Sequence, residues 1–398
     1  MNTGNKQIAW KVLANISRFT LAFVLIFSGF VKANDPYGTV FKLHDYAVAF
    51  GVSNIPFLTL IIIAIMLATM EFSLGAHLLF GMSPVIISKL TVVFMCVMTA
   101  LTAYIWAFGP VSDCGCFGDV LILSNGMTFW KNILLLAAAL IIAKYNSSYV
   151  KLVGKNTRWA LTLFSEVYIF VYAIACLYTL PWLDFSAYKV GTDMRSETAK
   201  EATAGFYATD MDNDKDITDD IIYGEGYTFL LTIPNLRHAD EGCVDLVNEI
   251  YEYSVKNGYK FHCLTGSVEK EDVEYWIDHT GAEYNFCQSD ESELRSAVRS
   301  APGLMLMKDG VIIGKWSNYT LPDENVLTDK LEILSIGRLT DEENKKAKDI
   351  LLYFLLPLIS LIVIDRIGSG FSWYRNWRKK TEKLQLEQIR DQINIQIK

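Results

Sequence analysis

The chain has 398 residues, of which 52% are hydrophobic, and its mean hydropathy is +0.24. It is too apolar for one soluble globule and too long for one domain. The net charge of -8 is unevenly distributed: residues 184–349 carry -17 and the remainder carries +9. These values predict a basic membrane part and an acidic soluble part. The sequence has no basic stripe with interleaved aromatic residues, which argues against nucleic acid as a partner.

Six apolar runs approach the length of about 20 residues that crosses a bilayer. They lie at 10–31, 56–80, 86–108, 129–145, 159–181 and 350–366. Basic clusters at 6–11, 144–158 and 366–383 fall on one side if the N-terminus is cytosolic, since Lys and Arg are retained on that side. We therefore expect a bacterial inner-membrane protein with both termini in the cytosol. The first run also fits a signal peptide ending near Ala33, and its cleavage would not reverse the later spans.

Two charged residues lie inside the first two apolar runs, Arg18 and Glu71. An unpaired charge there costs at least about 2.5 to 3.5 kcal/mol. Measured from the outer ends of the two runs, Arg18 lies about 20 Å deep and Glu71 about 22 Å deep at a rise of about 1.5 Å per residue. A structural ion pair between the two helices is therefore predicted. A proton or ligand site that uses Glu71 is the alternative.

The segment after the third run contains Cys114-Gly115-Cys116. The predicted orientation places this pair on the periplasmic face, where thiols can be oxidised and exchanged. Cysteines two residues apart meet only in a tight turn, for which Gly115 supplies the backbone freedom. Such a small ring is expected to be strained, which favours exchange over a permanent staple. Cys114 and Cys116 are the predicted catalytic residues, with a static turn or disulfide as the alternative.

A metal site is the third reading of this segment, because two thiolates make half of a zinc shell. Only Asp113 and Asp119 are close by in sequence and no His is, so no metal is predicted. The sequence contains no haem, flavin or dinucleotide motif either. Electrons that leave the pair need a mobile acceptor, and a membrane quinone is the natural candidate, although no pocket for it is identified.

Three segments in this order resemble a known family: Arg18 on an apolar helix that ends in Ser28-Gly29-Phe30-Val31-Lys32, then Glu71-Phe72-Ser73-Leu74-Gly75, then Cys114-Gly115-Cys116-Phe117-Gly118. The chain resembles the DoxX-like superfamily, and within it the methylamine utilisation protein MauE family, over residues 10–145. The resemblance implies a four-helix membrane unit that takes part in maturation of periplasmic proteins through disulfide formation. It does not imply a substrate.

The acidic segment alternates short strands with amphipathic helices, which indicates an α/β sheet. Strands are predicted at 227–233, 259–264, 304–308 and 311–316, and helices at 240–257, 269–280 and 290–300. This order resembles a thioredoxin-like fold, with Pro302 at the place of that fold's cis-proline. The fold's usual Cys-x-x-Cys is absent, since residues 235–243 contain only Cys243.

The external domain is therefore predicted to bind partners or to shield the membrane unit, with Cys243 as a lone exchanging thiol in the alternative. Cys263 and Cys287 are candidates for a structural disulfide, and Cys176 for a resolving thiol. The pattern at 210–216 argues against a calcium loop, because it lacks the required Gly and Glu.

Five parts are expected along the chain. They are a DoxX/MauE-like four-helix membrane domain at 1–145, a cytosolic loop and fifth transmembrane helix at 146–183, a periplasmic thioredoxin-like domain at 184–345, a sixth transmembrane helix at 346–372 and a cytosolic basic tail at 373–398. The preferred function is thiol-disulfide exchange or maturation of periplasmic client or redox proteins. A non-enzymatic membrane scaffold or partner-binding protein is the rival, and a small-molecule carrier that uses Glu71 is the third hypothesis.

Overall fold

The computed structural model describes residues 3–52, 55–111, 114–146, 149–150, 152–154, 157–339 and 342–396. Its helices are α1 (Thr3–Asn34), α2 (Pro36–Ala49), α3 (Phe57–Phe80), α4 (Pro84–Phe108), α5 (Asn125–Lys144), α6 (Arg158–Thr179), α7 (Glu197–Ala202), α8 (Thr218–Ile222), α9 (Val244–Asn257), α10 (Lys270–Thr280), α11 (Glu291–Ala297) and α12 (Glu342–Gln396). Six of these helices, α1, α3, α4, α5, α6 and α12, are long and apolar enough to cross a membrane. The six predicted spans are confirmed.

Helices α1 and α3 pack closely because each presents a glycine to the other. A Cβ atom on Gly29 would lie 2.5 Å from the backbone nitrogen of Phe72, and one on Gly75 would lie 2.7 Å from that of Ile26. Small residues allow such backbone approach in membrane helices. Gly29 thus lies level with Phe72, and α3 extends beyond the outer end of α1.

Helix α2 lies outside the six candidate spans and packs on the outer part of α3. Its start is fixed by local chemistry: the Asp35 carboxylate accepts the Gly38 N–H at 2.8 Å, and Pro36 occupies the first turn. Asp followed by Pro is a standard helix-start signal, but no helix was predicted in this connection. The helix matters because it covers the Cys-Gly-Cys turn.

The external domain contains a six-stranded mixed sheet in the order β1-β4-β3-β2-β5-β6. The strands are β1 (Thr209–Asp210), β2 (Tyr227–Ile233), β3 (Lys260–Thr265), β4 (Asn285–Gln288), β5 (Gly303–Lys308) and β6 (Val311–Ser317). Strands β4, β3 and β2 run parallel, whereas β5 and β6 are antiparallel to their neighbours. Apolar clusters cover both faces, one with α9 and α10 and the other with α8 and α11. This topology and the cis peptide bond before Pro302 define a thioredoxin-like fold, as predicted.

Strand β4 was not predicted from the sequence. Its pairing with β3 determines whether Cys263 and Cys287 can form a disulfide. It pairs with β3 in a register that sets Cys263 beside Phe286 and Leu264 beside Cys287. Because side chains alternate across a sheet, Cys263 lies in the core on one face and Cys287 in the core on the other. The candidate disulfide between them is wrong, and both thiols are free.

Helix α12 runs without interruption from Glu342 to Gln396, so the predicted sixth span and the basic tail form one helix. It packs against α6 through Phe354, which contacts the rings of Phe164 and Tyr168. The segment at 210–216 forms a turn in which the Asp210 carboxylate accepts backbone N–H groups of Asp212 and Asn213.

Candidate dithiol site

The Cys114 and Cys116 sulfur atoms lie 2.8 Å apart, as the turn predicted from their spacing requires. Gly115 between them has φ +63°, in the left-handed region that glycine adopts without strain. Gly118 has φ +52° and donates its N–H to the Gly115 carbonyl at 3.2 Å. Both thiols are free. The chain therefore holds two sulfurs within reach of one another.

The turn is enclosed by neighbouring helices of the membrane unit. Cys114 is 7% exposed and Cys116 is 9% exposed, and they form an apolar cluster with Ile105 of α4. Tyr46 of α2 donates its hydroxyl to the Cys114 carbonyl at 2.5 Å. A Cβ atom on Gly115 would lie 2.9 Å from the Lys42 side chain, so α2 leaves room for glycine only. A protein partner can reach the sulfurs only if this cover moves.

The two thiols have different acidities. The hydrogen bond from Cys116 lowers the pKa of Cys114 to about 7, against the effect of burial, with smaller help from Tyr46, Lys131 and Lys32. The same hydrogen bond, together with burial, raises the pKa of Cys116 well above its usual value. At neutral pH Cys114 is therefore a thiolate for part of the time and Cys116 supplies the proton. Such asymmetry suits a pair with one attacking and one resolving sulfur.

A buried ion pair lies directly beneath the turn. Lys32 Nζ is 2.8 Å from Glu71 Oε2, 2.7 Å from Ser28 Oγ and 3.0 Å from the Cys116 carbonyl oxygen. Ser28 also donates its hydroxyl to that carbonyl at 2.9 Å. The side chains of Lys32 and Glu71 are 6% and 1% exposed. The ammonium group thus joins the intramembrane carboxylate to the dithiol backbone.

The predicted ion pair between Arg18 and Glu71 is wrong. Glu71 binds Lys32, whereas Arg18 donates to the Val150 carbonyl at 2.7 Å and lies beside Gly81. The error has a physical cause: the prediction set the outer ends of the two apolar runs level, but α3 projects outward beside α2. That shift brings Glu71 close to the C-terminal end of α1, where Lys32 lies in the last turn. Lys32 was part of the quoted motif but was not assigned a role.

One further intramembrane carboxylate was missed by the sequence reasoning. Glu166 of α6 accepts a hydrogen bond from Ser73 at 3.1 Å. Near it, His77 of α3 contacts the Thr162 hydroxyl of α6 at 3.2 Å. This polar contact between α3 and α6 lies away from the dithiol turn. Its residues were not predictable as a group because they come from helices far apart in sequence.

The thioredoxin-like domain places Cys243 and the cis-proline loop on one face. Asp240 and Cys243 precede α9, and the Asp240 N–H donates to the Ala301 carbonyl, next to cis-Pro302, at 3.0 Å. Cys243 is 7% exposed. Burial, reinforced by the negative charge of Asp240, raises the pKa of Cys243 to about 11. A thiol of that acidity is protonated at neutral pH, which disfavours the alternative that Cys243 exchanges.

This face is turned toward the membrane unit. Arg299, three residues before Pro302, binds Asp35 at the start of α2 at 3.0 Å and Asp119 at 2.6 Å. Arg299 is 10% exposed. Asp119 follows Cys116 by three residues, and its pKa is raised by burial and by Asp35, against the effect of Arg299. One arginine thus ties the cis-proline loop to both sides of the dithiol turn.

A second contact reinforces the first. Ser317 of β6 donates to the Tyr178 carbonyl at the end of α6 at 2.6 Å, and the ring of Tyr319 lies edge-on against that of Tyr178. The pKa of Tyr37 on α2 is raised by burial and then by Tyr319, Tyr178 and Asp240. The face with Cys243 and the cis-proline loop therefore packs on α2 and α6 of its own chain.

Two further predictions concern Cys176 and the candidate metal ligands beside the dithiol. Cys176 is fully buried in α6 among apolar side chains, with Ala33 and Tyr172 in the same cluster. Among the residues that the structure describes, no three His, Cys, Asp or Glu side chains are grouped as a metal site. Asp113, the second carboxylate considered as a ligand, lies outside the described residues.

Comparisons with known proteins agree with this division. Residues 10–145 match the family model described as "Methylamine utilisation protein MauE", over the segment for which the resemblance was stated. This part of the chain is therefore similar to that family. No curated protein matches the chain significantly.

Solved structures similar to the chain are thioredoxin domains and related proteins. The thioredoxin domain of a thiol-disulfide oxidoreductase from Bacteroides vulgatus is 12% identical, covers 27% of this chain and 81% of its own, and has a TM-score of 0.22. A thiol-disulfide oxidoreductase from Bacteroides fragilis is 11% identical over 32% and 97%, with a TM-score of 0.27. A putative thiol:disulfide interchange protein DsbE from Chlorobium tepidum is 10% identical over 28% and 79%, with a TM-score of 0.24.

Proposed function

We propose that this membrane protein performs thiol-disulfide exchange through Cys114 and Cys116. The observation that carries the proposal is the pair of free sulfurs 2.8 Å apart, of which one has a pKa of about 7 and the other a raised pKa. We further propose that the turn and the external domain face the periplasm of a bacterial inner membrane, with both termini cytosolic. The basic clusters at 6–11, 144–158 and 366–383 support this orientation.

The proposed exchange has two steps. The Cys114 thiolate attacks one sulfur of a partner's disulfide, which forms a mixed disulfide and releases the partner's other sulfur as a thiolate. Cys116 then gives up its proton and attacks the Cys114 sulfur, which forms the Cys114–Cys116 disulfide and releases the second partner thiolate. The partner takes up two electrons and two protons in total. The chain's pair is oxidised, and the reverse sequence oxidises a client dithiol.

The quinone acceptor stays a prediction. The described cavity beside the turn holds about 170 Å³ and is lined by charged residues such as Lys42, Asp45 and Arg295, which does not suit a quinone ring. A largely apolar groove of about 780 Å³ lies between α6 and α12, but none of its lining residues belongs to the dithiol turn. The proposed steps therefore use a protein disulfide as the exchange partner.

The external domain is proposed to guard the dithiol. Its cis-proline loop carries Arg299, which binds Asp35 and Asp119 on both sides of the turn, and its one cysteine near α9 is protonated at neutral pH. The domain therefore contributes contacts rather than a redox pair. Movement of the domain and of α2 would open the way to client proteins.

Oxidised glutathione tests the exchange directly. In the full-length Cys116→Ser protein, the Cys114 thiolate should form a glutathione adduct that persists, because the resolving sulfur is absent. In the wild type the adduct should be replaced by the Cys114–Cys116 disulfide with release of glutathione. Peptide mass spectrometry reads both products, and Cys243→Ser, which removes a thiol outside the site, is the matched control.

A non-enzymatic scaffold is the second candidate, and the burial of both sulfurs favours it. It predicts that neither the adduct nor the internal disulfide forms at Cys114, even after prolonged exposure to oxidised glutathione. Labelling Cys114 in intact cells with a thiol reagent that cannot cross the bilayer tests the proposed orientation. Labelling only after the inner membrane is broken would contradict it.

A further inference from the structure

The Lys32–Glu71 ion pair makes more contacts than the joining of two helices requires. All three hydrogen-bond donors of the Lys32 ammonium have acceptors: Glu71 in α3, Ser28 in its own helix and the Cys116 carbonyl. A pair that served only to join α1 to α3 would need the first two contacts alone. The third acceptor belongs to the dithiol turn, and Ser28 bonds to the same carbonyl.

We propose that Lys32, held in place by Glu71, is a positioning residue for the exchange: it fixes the Cys116 backbone and supplies the positive charge beside which the Cys114 thiolate forms. This inference rests on the proposed function of the same site. Lys32 touches neither sulfur in the structure, so its role is electrostatic and geometric.

The surroundings explain why a buried cation has this effect. Lys32 and Glu71 are 6% and 1% exposed, and charge interactions are less screened away from water. The hydrogen bond between the thiols and their burial are the main influences on both pKa values, and the charges of Lys131 and then Lys32 lower both by smaller amounts. Lys131 lies 4.1 Å above the Phe117 ring. Lys32 is the one of these two cations that is hydrogen-bonded to the turn itself.

Charged and titratable groups face the turn from several elements. In the described part of the chain they are Lys32 from α1, Lys42, Asp45 and Tyr46 from α2, Glu71 from α3, Lys131 from α5, Asp119 from the turn and Arg299 from the external domain. A test therefore has to change the Lys32–Glu71 pair without altering the others.

The test measures the alkylation rate of Cys114 by iodoacetamide against pH, in the reduced full-length protein in nanodiscs, with peptide mass spectrometry as the readout. The double variant Lys32→Met/Glu71→Gln removes the cation without leaving a buried carboxylate. Its profile should move to higher pH by about half a unit, which from a midpoint near pH 7 is roughly a twofold loss of alkylation rate at pH 7. Glu71→Gln alone leaves the ammonium group without its counter-charge, and its profile should move to lower pH.

Two matched controls keep the result interpretable. Lys32→Arg retains the charge and donors and should retain the wild-type profile. Arg18→Met removes a buried cation from the opposite end of the same helix, and its Cys114 profile should not move. Profiles of the double variant and Glu71→Gln that both coincide with the wild type would overturn the inference, as would shifts of both in the same direction.

Failure of the proposed function would look different. Alkylation needs no exchange partner, so a wild-type protein that never forms the Cys114–Cys116 disulfide would still give a pH profile for each variant. If the double variant does not fold, as judged by its thermal unfolding, the comparison between Glu71→Gln and Lys32→Arg decides: a shift to lower pH in Glu71→Gln alone supports the inference, and identical profiles contradict it.

Discussion

The thioredoxin-like domain and the membrane region differ in which of them holds the pair of neighbouring cysteines. The thioredoxin-like domain has the sheet order of its fold, but its Cys243 has a pKa raised to about 11 and no cysteine three residues away on either side. The membrane region, by contrast, holds two sulfurs 2.8 Å apart and a Cys114 pKa of about 7. The group proposed to exchange therefore lies outside the thioredoxin-like fold, in keeping with the rule that function belongs to sites rather than to folds.

The contact between the halves gives the comparison its physical meaning. Arg299 joins the cis-proline loop to Asp35 and Asp119, and Tyr319 packs on Tyr178. The face of the domain that carries the cis-proline loop thus packs against the dithiol turn, which is the basis of the proposed guarding role. The predictions below test this difference between the thioredoxin-like domain and the membrane region.

The largest expected effect is the difference in reactivity between Cys114 and Cys243. At pH 7 the thiolate fractions differ by roughly four orders of magnitude for pKa values of about 7 and about 11. Lower thiolate nucleophilicity at Cys114 offsets about half of that difference on a logarithmic scale, which leaves about a hundredfold in alkylation rate. Iodoacetamide labelling of the folded protein at pH 7, read by peptide mass spectrometry, measures this ratio of rates. Equal rates at Cys114 and Cys243 would contradict the predicted difference.

Cys116→Ala should have the next largest effect. The hydrogen bond from Cys116 is the main cause of the low pKa of Cys114, and alanine cannot supply it. Burial then raises the pKa of Cys114 with less opposition, so the midpoint of its alkylation should move to higher pH. The rate at pH 7 should fall about tenfold for a shift of about 1.3 units from a midpoint near pH 7. Cys116→Ser, which keeps a hydroxyl donor, is the control and should shift less. A Cys114 midpoint that ignores both changes would contradict the proposed asymmetry.

Arg299→Gln should expose the dithiol by a smaller factor. The change leaves Asp35 and Asp119 without their shared cation, so the domain should separate more often from the turn. A loss of about 1 kcal/mol corresponds to roughly a fivefold change in an open-closed equilibrium, and Cys114 labelling by a bulky maleimide should accelerate accordingly. The control Arg237→Gln breaks an ion pair of 2.6 Å to Asp272 inside the external domain and should leave the rate unchanged. Equal rates in both variants would show that Arg299 does not guard the turn.

Cys263→Ala and Cys287→Ala should have the smallest effects, confined to stability. Their side chains lie in cores on opposite faces of the sheet, so no disulfide is lost and each change removes only buried contacts. We expect each to lower the free energy of unfolding of the external domain by about 1 kcal/mol, in line with small deletions in a core. Denaturation under reducing and oxidising conditions should give the same result. A stability that depends on the redox buffer at these positions would contradict the register of β3 and β4.

Much of the fold could be predicted from local patterns. Apolar runs identified the six spans, and strand β2 was placed at 227–233, where it is observed. The site was predictable only in part. The spacing of Cys114 and Cys116 predicts their proximity, but the partner of Glu71 depends on how far α3 slides along α1. That offset is set by the packing of Gly29 and Gly75, which no periodicity in the sequence reveals.

The contact of Arg299 with Asp35 and Asp119 was beyond sequence reasoning for a similar reason. These residues are brought together by the docking of two domains, and each one alone looks like an ordinary surface charge. The missed strand β4 is short, with four residues, and lies between two helices. Its absence from the prediction allowed a disulfide that the observed register forbids.

The most direct measurement is a redox titration of the Cys114–Cys116 pair in the membrane-embedded protein. The protein is equilibrated with glutathione buffers, and the fraction of the internal disulfide is quantified by peptide mass spectrometry. The account predicts a reversible two-electron transition between about -270 and -120 mV, the range of exchanging protein dithiols. A pair that stays fully reduced in the most oxidising buffer, with no mixed disulfide at Cys114, would contradict it.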